Sequence, residues 1–231
     1  MIQVEGIFSG GSSISAPIIG EDFNWSGGDG TYQVLDDGGG NWRIKFLSSG
    51  TFTPLKNMVI DAFLVGGGGG SGSSYCGAGG AGYTTTVRSV VLTANTAYSI
   101  VVGAAGKNGN PSSAGGETTA FTASAAGGKN TSNGTSSSKR PGGAGYVSPV
   151  ATTTGGTDGG DGTSSATTGG KGQGTTTREF GEADGTLYAS GGGSNLTATV
   201  SNSGNGGRNG ITSIEPADGI VVIRQHKEVA A

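Results

Sequence analysis

Apolar residues gather in a few short runs whose composition indicates β-strands. The clearest runs are 58–65 (MVIDAFLV), 83–92 (YTTTVRSVVL), 97–102 (AYSIVV) and 218–224 (DGIVVIR), all rich in β-branched or aromatic residues. Run 218–224 holds four consecutive apolar residues, which indicates burial on both faces, so we expect it to complete the sheet that 58–65 begins. The short polar stretch between 83–92 and 97–102 predicts a hairpin. A weaker strand is predicted at 117–124.

The first 45 residues differ from the rest of the chain, because both tryptophans lie there. Two strands are predicted in this region, at Tyr32–Leu35 and Trp42–Leu47, with a turn of aspartates and glycines between them. Trp25 and Trp42 are candidates for a docking surface, with packing inside the protein as the alternative. We therefore expect residues 1–45 to serve in attachment or assembly.

Glycine dominates the remainder of the chain. It supplies 51 of the 231 residues, while only 32% of the residues are hydrophobic. The run 58–65 ends in five consecutive glycines, 66–70, and glycine blocks separated by polar spacers recur to residue 210. Glycine does not recur at every third residue, which excludes collagen, and the blocks are too unevenly spaced for a solenoid. The pattern predicts polyglycine II helices, extended segments with three residues per turn whose amides bond to neighbouring segments.

A period of three makes a specific demand on the sequence, since any column of residues that faces a close neighbour must be glycine. Ala78 and Ala81 share one column of the block 77–82, and glycine fills the other two columns. Glycines spaced three residues apart recur at 103, 106 and 109, within 155–162, and at 204, 207 and 210. We therefore expect a side chain at Gly68 to disrupt folding more than the same change in a spacer.

These patterns together predict an all-β protein in which a small sandwich or sheet is combined with a bundle of polyglycine II helices. The expected glycine-rich domain covers residues 46–231, with a sheet over 46–126 closed by strand 218–224 and the bundle over about 66–210. No α-helix of usual length is predicted, because β-branched residues and glycine dominate every window.

Candidate chemistry for an enzyme or a metal site is sparse. The net charge of −3, with scattered lysines and arginines, leaves no basic stripe for a nucleic acid. The single histidine, His226, lies in a charged tail with no carboxylate set near it, and the single cysteine, Cys76, has no neighbours at metal-ligand spacing. The stretch GGTDGGDGT is similar to a calcium-binding repeat, but it occurs once, and such sites need stacked copies. We therefore expect no enzymatic activity, no metal and no cofactor.

Several stretches occur in an order that identifies a family. They are SGTFTPL leading into DAFLVGGGGGSG, then GAGGAGYTTT, AYSIVVGAAGKNG, REFGEADGTLYASGGG and GNGGRNGITSIEPADGIVVIR. Over roughly residues 42–224 the chain thus resembles the glycine-rich domain of bacteriophage and prophage tail proteins. The resemblance implies a receptor-recognising adhesin at a tail-fibre tip, in which polyglycine II helices support loops that touch the host surface. Phe180 and Tyr188 belong to the shared pattern and are expected to be structural.

The polar spacers between the glycine blocks are the candidate receptor-binding loops, because hydroxyl, amide and tyrosine groups on a rigid scaffold suit recognition. The candidate contacts are Lys129, Asn130, Asn133, Lys139, Arg140, Tyr146 and Asn195. The resemblance implies as partners a bacterial surface glycan or outer surface protein, together with other tail or fibre proteins. A homotrimer is an open option, and neither nucleic acid nor membrane insertion is expected.

The implied location is the tail of a virion, after synthesis in the cytoplasm of the host bacterium. The N-terminal residues lack the pattern of a signal peptide, and no run approaches the roughly 20 apolar residues of a membrane span. The main alternative is a purely structural virion component, such as a baseplate or head decoration protein. A hydrolase acting on surface polymers is a third possibility.

Overall fold

The protein is described here by a computed structural model covering residues 16–72, 78–131, 178–192, 200–207 and 214–226. These residues form ten strands and a single 3-10 turn, Glu179–Gly181. In chain order the strands are β1 (Phe23–Trp25), β2 (Tyr32–Gly38), β3 (Asn41–Phe46), β4 (Gly50–Pro54), β5 (Met58–Val65), β6 (Thr84–Leu92), β7 (Tyr98–Val101), β8 (Thr118–Ala120), β9 (Ala123–Ala125) and β10 (Ile220–Gln225). The all-β prediction is confirmed.

The strands make two five-stranded antiparallel sheets. Their orders are β1-β4-β7-β8-β9 in the first sheet and β2-β3-β10-β5-β6 in the second. Strand β10 pairs with β5 and β3 in the centre of the second sheet, as its continuous apolar run predicts. Aromatic rings fill the space between the sheets, where Phe52 lies 5.5 Å from both Phe23 and Phe46 between ring centroids.

The outer face of the second sheet is also buried, because a strap formed by residues 178–188 crosses it. Phe180 and Tyr188 of this strap pack on Phe63 of β5, at ring-centroid distances of 6.0 and 5.5 Å. Both strap aromatics are at most 5% exposed, so the expectation that they are structural is confirmed. Burial on both faces explains why β5 and β10 lack the apolar and polar alternation of a surface strand.

Two of the expected strand arrangements are wrong. Strands β6 and β7 do not form a hairpin, since β6 pairs with β5 in one sheet and β7 pairs with β4 and β8 in the other. The short connection between them crosses the sandwich, where Asn95 N–H donates to the carbonyl of Pro54. The single strand expected at 117–124 is two three-residue strands, β8 and β9, because the chain turns at Phe121 and Thr122, both of which have positive φ.

The N-terminal region is part of the same sandwich as the glycine-rich region. The expected boundary at residue 45 falls inside β3, which pairs with β2 on one side and β10 on the other. The hairpin predicted from Tyr32–Leu35 and Trp42–Leu47 is present as β2 and β3. An attachment role for this region remains a prediction.

Beyond the end of β5 the chain enters a bundle of extended glycine-rich segments. The central segment, 66–72, is surrounded by six others, which in order around it are 78–83, 126–131, 113–116, 103–109, 214–219 and 203–207. Each bonds to the next through its backbone, from Gly80 N–H to the Lys129 carbonyl at 2.9 Å round to Gly82 N–H and the Gly204 carbonyl at 2.9 Å. Successive segments of this ring run in opposite directions along the bundle.

The central segment bonds to its neighbours with the three-residue period of a polyglycine II helix. Gly66 and Gly69 donate to segment 78–83, and Gly67 and Gly70 donate to segment 113–116, all at 2.9 to 3.0 Å. Gly68 donates to the Ala217 carbonyl at 2.9 Å and accepts from Gly106 N–H at 2.8 Å. The bundle is therefore a core made of backbone hydrogen bonds, and no side chain lies within its central segment from 66 to 70.

Close approach of the segments accounts for the glycines of this region. A Cβ placed on Gly68 would collide with the carbonyl group of Asn205, and one on Gly67 or Gly69 would collide with the carbonyl of Ala104 or Lys129. The predicted glycine column of the next segment is also found, since Gly79 and Gly82 both abut the central segment. Ala78 and Ala81, in the neighbouring column, are fully buried.

The sandwich and the bundle give the molecule two poles. Strand β5 leads towards the bundle, so Met58 lies at the end of the sandwich that is far from it. His226 N–H donates to the Val59 carbonyl, and Phe23 pairs with Pro54, which places residues 16–22 and 226 at that same far end. The described parts of the bundle end at the opposite pole, at Gly72, Thr131 and Gly207.

Candidate functional site

The distal pole of the bundle holds the candidate receptor contacts that fall on described residues. Lys129 and Asn130 are both exposed there. The Nδ2 group of Asn130 donates to the Ser112 carbonyl at 2.9 Å and to its Oγ at 3.1 Å, which ties two neighbouring segments together. The other candidates, Asn133, Lys139, Arg140, Tyr146 and Asn195, lie outside the described residues.

Asn108 fixes the backbone at this pole. Its Oδ1 accepts from Ser71 N–H at 2.8 Å, and its Nδ2 donates to the Ile214 carbonyl at 2.7 Å. One side chain thus connects three segments of the bundle at the level where the central segment ends. A polar side chain here adds to the backbone bonds between segments, such as that from Gly109 N–H to the Ser71 carbonyl at 2.9 Å.

The two tryptophans proposed for docking pack internally. Trp42 is 6% exposed and belongs to the sandwich core, because its position on β3 faces the first sheet. Trp25 is half-buried, stacks 4.6 Å from the Phe46 ring, and donates from Nε1 to Thr31 Oγ1 at 2.9 Å. Internal packing is the alternative that the sequence left open, and a docking role for either tryptophan stays a prediction.

A buried carboxylate organises the charges on the second sheet. Asp61 lies in the middle of β5 with no exposed surface, and its direct strand partner on β10 is Arg224. Its carboxylate accepts from Arg224 and Arg88 at 3.2 Å and from His226 Nδ1 at 2.6 Å. Burial would raise the pKa of Asp61, but the hydrogen bonds from His226, Ser89 N–H and Arg224 outweigh burial and hold its pKa below the ordinary value.

The expectation that His226 is a solvated tail residue with no carboxylate near it is therefore wrong. The side chain is 21% exposed and is held against Asp61, which is 165 positions away in the chain. The sequence carries a signal for this contact, since Asp61 lies within one apolar run and Arg224 ends another, and the two runs are predicted to pair. Once those strands are aligned, the residues that follow Arg224 come close to Asp61.

Ser89, His226 and Asp61 are the residue types of a nucleophile, base and orienting acid, but their geometry is different. Ser89 Oγ lies 3.1 Å from His226 Nε2 and 3.5 Å from Nδ1 of the same ring. An oxygen nearly equidistant from both ring nitrogens lies over the imidazole face and not on the in-plane lone pair of Nε2, where a base would receive the proton. Ser89 N–H donates to Asp61, so it does not supply an oxyanion donor.

Ser89 owes its position to an irregularity in strand pairing. The register between β5 and β6 shifts at Asp61, so that Arg88 and Ser89 both lie opposite this one residue. Ser89 has φ of 57°, in the left-handed region. This local distortion lets both the guanidinium of Arg88 and the amide of Ser89 reach the buried carboxylate.

A second buried carboxylate, Glu179, fastens the strap to the sheet. It is 2% exposed and accepts from Arg43 Nη1 at 2.6 Å and from the Tyr188 hydroxyl at 3.2 Å. Burial and the neighbouring Glu179 charge raise the pKa of Tyr188, so this phenol stays protonated and donates. At the other edge of the strap, Arg224 Nη1 bonds Glu182 at 2.7 Å.

A polar cleft of about 310 Å³ opens between the strap and the β2–β3 hairpin. Its charged lining includes Asp37, Arg43, Glu182 and Arg224. Arg43 bonds Asp37 and Glu179, and Arg224 bonds Asp61 and Glu182, so both arginines of this cleft are occupied in ion pairs that connect the sheet to the strap or join neighbouring strands.

No group of three or more histidine, cysteine, aspartate or glutamate side chains in the described parts of the chain is placed to hold a metal ion. In those same ranges, no helix has both the length and the apolar character needed to cross a membrane.

Comparison with known protein families gives a match that covers the bundle and most of the sandwich. A family model described as a glycine-rich domain matches residues 47–224. The chain belongs to this glycine-rich domain family. The match begins at the end of β3 and ends within β10, so it includes the central segment, its six neighbours and the strap. No curated protein matches the chain.

Proposed function

We propose that this protein is a receptor-recognising component of a phage or prophage tail, placed at the tip of a tail fibre. The two-pole construction of the molecule is the observation that supports this role. The bundle is a stiff support, because its core consists of backbone hydrogen bonds in a closed ring of segments around 66–72. A support of this kind can hold recognition loops in fixed positions without depending on the sequence of those loops.

The chain connections at the distal pole are the proposed recognition elements. The described chain stops at Gly72, Thr131 and Gly207 at this pole and resumes at Ala78 and Ile214. Three connections of 5, 46 and 6 residues (73–77, 132–177 and 208–213) therefore leave the scaffold at this pole, and the first and third return to it there. The sandwich pole, where residues 16–22 and 226 lie, is the proposed side of attachment to the fibre.

Binding to whole cells tests the recognition role. The purified protein, labelled with a fluorophore, is mixed with a panel of bacterial species, and we expect it to label the cells of a narrow host group. Replacing residues 132–140 with a glycine-serine segment of the same length should reduce labelling at least tenfold while leaving the melting temperature unchanged. The matched control is Lys56→Gln at the sandwich pole, which should label cells as the wild type does.

The location of the protein on particles separates recognition from a purely structural role. Antibody labelling of virions viewed by electron microscopy should place the protein at the fibre tip. Placement on the head or within the baseplate, together with no labelling of any cells, would support the structural alternative and reject the adhesin proposal.

A further inference from the structure

The positively charged side chains of the described residues differ by location. Those on the sandwich and the strap each bond a carboxylate or a carbonyl; they are Arg43, Lys45, Lys56, Arg88, Arg178 and Arg224. Lys107 and Lys129, on the bundle, are exposed, and neither ammonium group bonds a carboxylate within the ranges that the structure describes. Within the described residues, both lysine ammonium groups of the bundle are thus available to a ligand.

The backbone holds these two lysines at one level of the bundle. The carbonyl of Lys129 abuts Gly69 and that of Lys107 abuts Gly70, two consecutive residues of the central segment. Their segments, 126–131 and 103–109, lie on either side of segment 113–116 and bond to it, from Gly115 N–H to the Gly128 carbonyl and from Ser113 N–H to the Lys107 carbonyl, both at 3.0 Å. Lys107 and Lys129 therefore flank a single segment, and the bonded backbone fixes the positions of their Cα atoms.

A nearby carboxylate, Glu215, forms no ion pair with either lysine in the described structure. Glu215 lies in segment 214–219, which contacts 103–109 on the side away from 113–116. Its Oε2 accepts from Asn108 N–H at 3.0 Å, so it is directed towards the backbone of the bundle. The chain from 110 to 116, which forms the intervening segment and the turn before it, has no charged residue, and its Ser112 accepts from Asn130.

We propose that Lys107 and Lys129 form an anion-binding edge that contacts phosphate or carboxylate groups of a bacterial surface polymer. This rests on the proposed function and adds the chemistry of the ligand to it. A lysine ammonium is a compact charge on a flexible stem, which suits anionic groups presented without fixed geometry. Repeated anionic groups along one polymer can occupy both lysines, and the second contact is then intramolecular.

Titration calorimetry with defined polymers tests this edge directly. The probes are poly(glycerol phosphate), polysialic acid as a carboxylate polymer, and dextran as a neutral polymer, each at low ionic strength. We expect binding of at least one anionic polymer and none of dextran, with affinity falling as salt is added because exposed charges are screened. The phosphate and carboxylate arms identify which anionic group is preferred.

The double variant Lys107→Gln, Lys129→Gln should weaken binding of the anionic polymer by at least about tenfold, since two charge-assisted contacts are lost. Lys56→Gln, which removes an exposed lysine at the other pole, should leave affinity unchanged. Equal binding by the double variant, an equal loss in Lys56→Gln, or equal binding of dextran would overturn the proposal. If the wild type and the double variant label host cells equally, the anion-binding edge is rejected but the adhesin role is kept. If the wild type binds the anionic polymer but labels no cells, the adhesin role is rejected and the edge is kept.

Discussion

The sandwich and the bundle are two folded cores in one chain, built by opposite means. Between the sheets, Phe23, Phe46 and Phe52 bury large rings, and stability comes from apolar area removed from water. In the bundle, the central segment from 66 to 70 has no side chains, and every residue bonds to a neighbouring segment through its backbone. Val65 is the junction, since it ends β5 and precedes the first of these glycines.

This contrast shows that tight packing has two different requirements. The sandwich needs side chains of the right volume, so removing atoms from it creates a cavity. The bundle needs their absence, because segments that exchange backbone bonds approach until a Cβ would overlap a carbonyl. Each backbone hydrogen bond makes a net contribution of about 0.5–1.5 kcal/mol to the free energy of unfolding, so a ring of many bonds can stabilise a region that buries few apolar atoms.

The largest expected effect is that of Gly68→Ala. A methyl group at this position would intersect the Asn205 carbonyl, and segment 203–207 cannot move away without losing its bonds to two other segments. We expect a loss of about 5 kcal/mol, sufficient to prevent folding or to leave only a molten sandwich. Urea denaturation followed by circular dichroism measures the change.

The control for this substitution is Ala104→Ser, which also adds one heavy atom to the bundle but at an exposed position. It should keep the wild-type unfolding midpoint. If Gly68→Ala unfolds at the same urea concentration as Ala104→Ser, the close packing of the central segment is refuted.

The strands and the bundle could be predicted from the sequence because both leave simple periodic signals. Strand β5 and the glycines 66–70 were recognisable from composition alone, and the period of three predicted the column of Gly79 and Gly82. The partners of β6 and β7 could not be predicted in the same way, because the polar stretch after Leu92 is compatible with a turn within one sheet or a crossing to the other. The choice depends on β4, which offers its edge to β7.

The candidate site was less predictable than the fold. The contact of His226 with Asp61 depends on the register of β10 on β5, and the contacts of Arg88 and Ser89 depend on the shift between β5 and β6, neither of which is fixed by local sequence. The sequence does not distinguish Lys107 from other surface lysines, since the absence of a carboxylate partner among the described residues is a property of the assembled bundle. Lys129 and Asn130 are candidates because polar residues beside a glycine block can be recognised from the sequence, and their role in binding stays a prediction.

The next largest effect is expected in the sandwich. Phe52→Ala removes a ring that contacts Phe23 and Phe46, and the cavity should lower the free energy of unfolding by about 4 kcal/mol. Phe52→Leu keeps most of the volume and should lose less than half as much. Chemical denaturation of both variants gives the comparison, and equal losses would show that the site does not depend on ring packing.

Asp61→Asn should cost about 3 kcal/mol, because it removes the buried carboxylate that Arg224 and Arg88 share and leaves Arg224 with Glu182 as its remaining acidic partner. The pKa of Asp61 is lowered in the folded protein, so its contribution is present above the ordinary value of 3.8 and is lost as the pH falls through the folded pKa. The wild type should therefore lose stability on acidification below pH 3.8 more steeply than the variant. Parallel slopes for the two proteins in thermal unfolding would contradict this role.

The smallest effect is expected on the outer surface of the bundle. Ala114 is exposed, although it lies beside Gly115, whose Cα abuts the central segment. Ala114→Lys should change the free energy of unfolding by no more than about 0.5 kcal/mol, while Gly115→Ala should be strongly destabilising. A large loss in Ala114→Lys would mean that the bundle excludes side chains from its surface as well as from its interior.

The central claim, that backbone hydrogen bonds form a true core around 66–70, is tested most directly by amide hydrogen exchange measured by nuclear magnetic resonance. We expect the Gly68 amide, bonded to Ala217, to exchange as slowly as the amide of Val222 in the centre of the second sheet, with the free energy of global unfolding. Exchange of Gly68 at the rate of an unprotected glycine, while Val222 remains protected, would show that the bundle is not a core and would contradict the account.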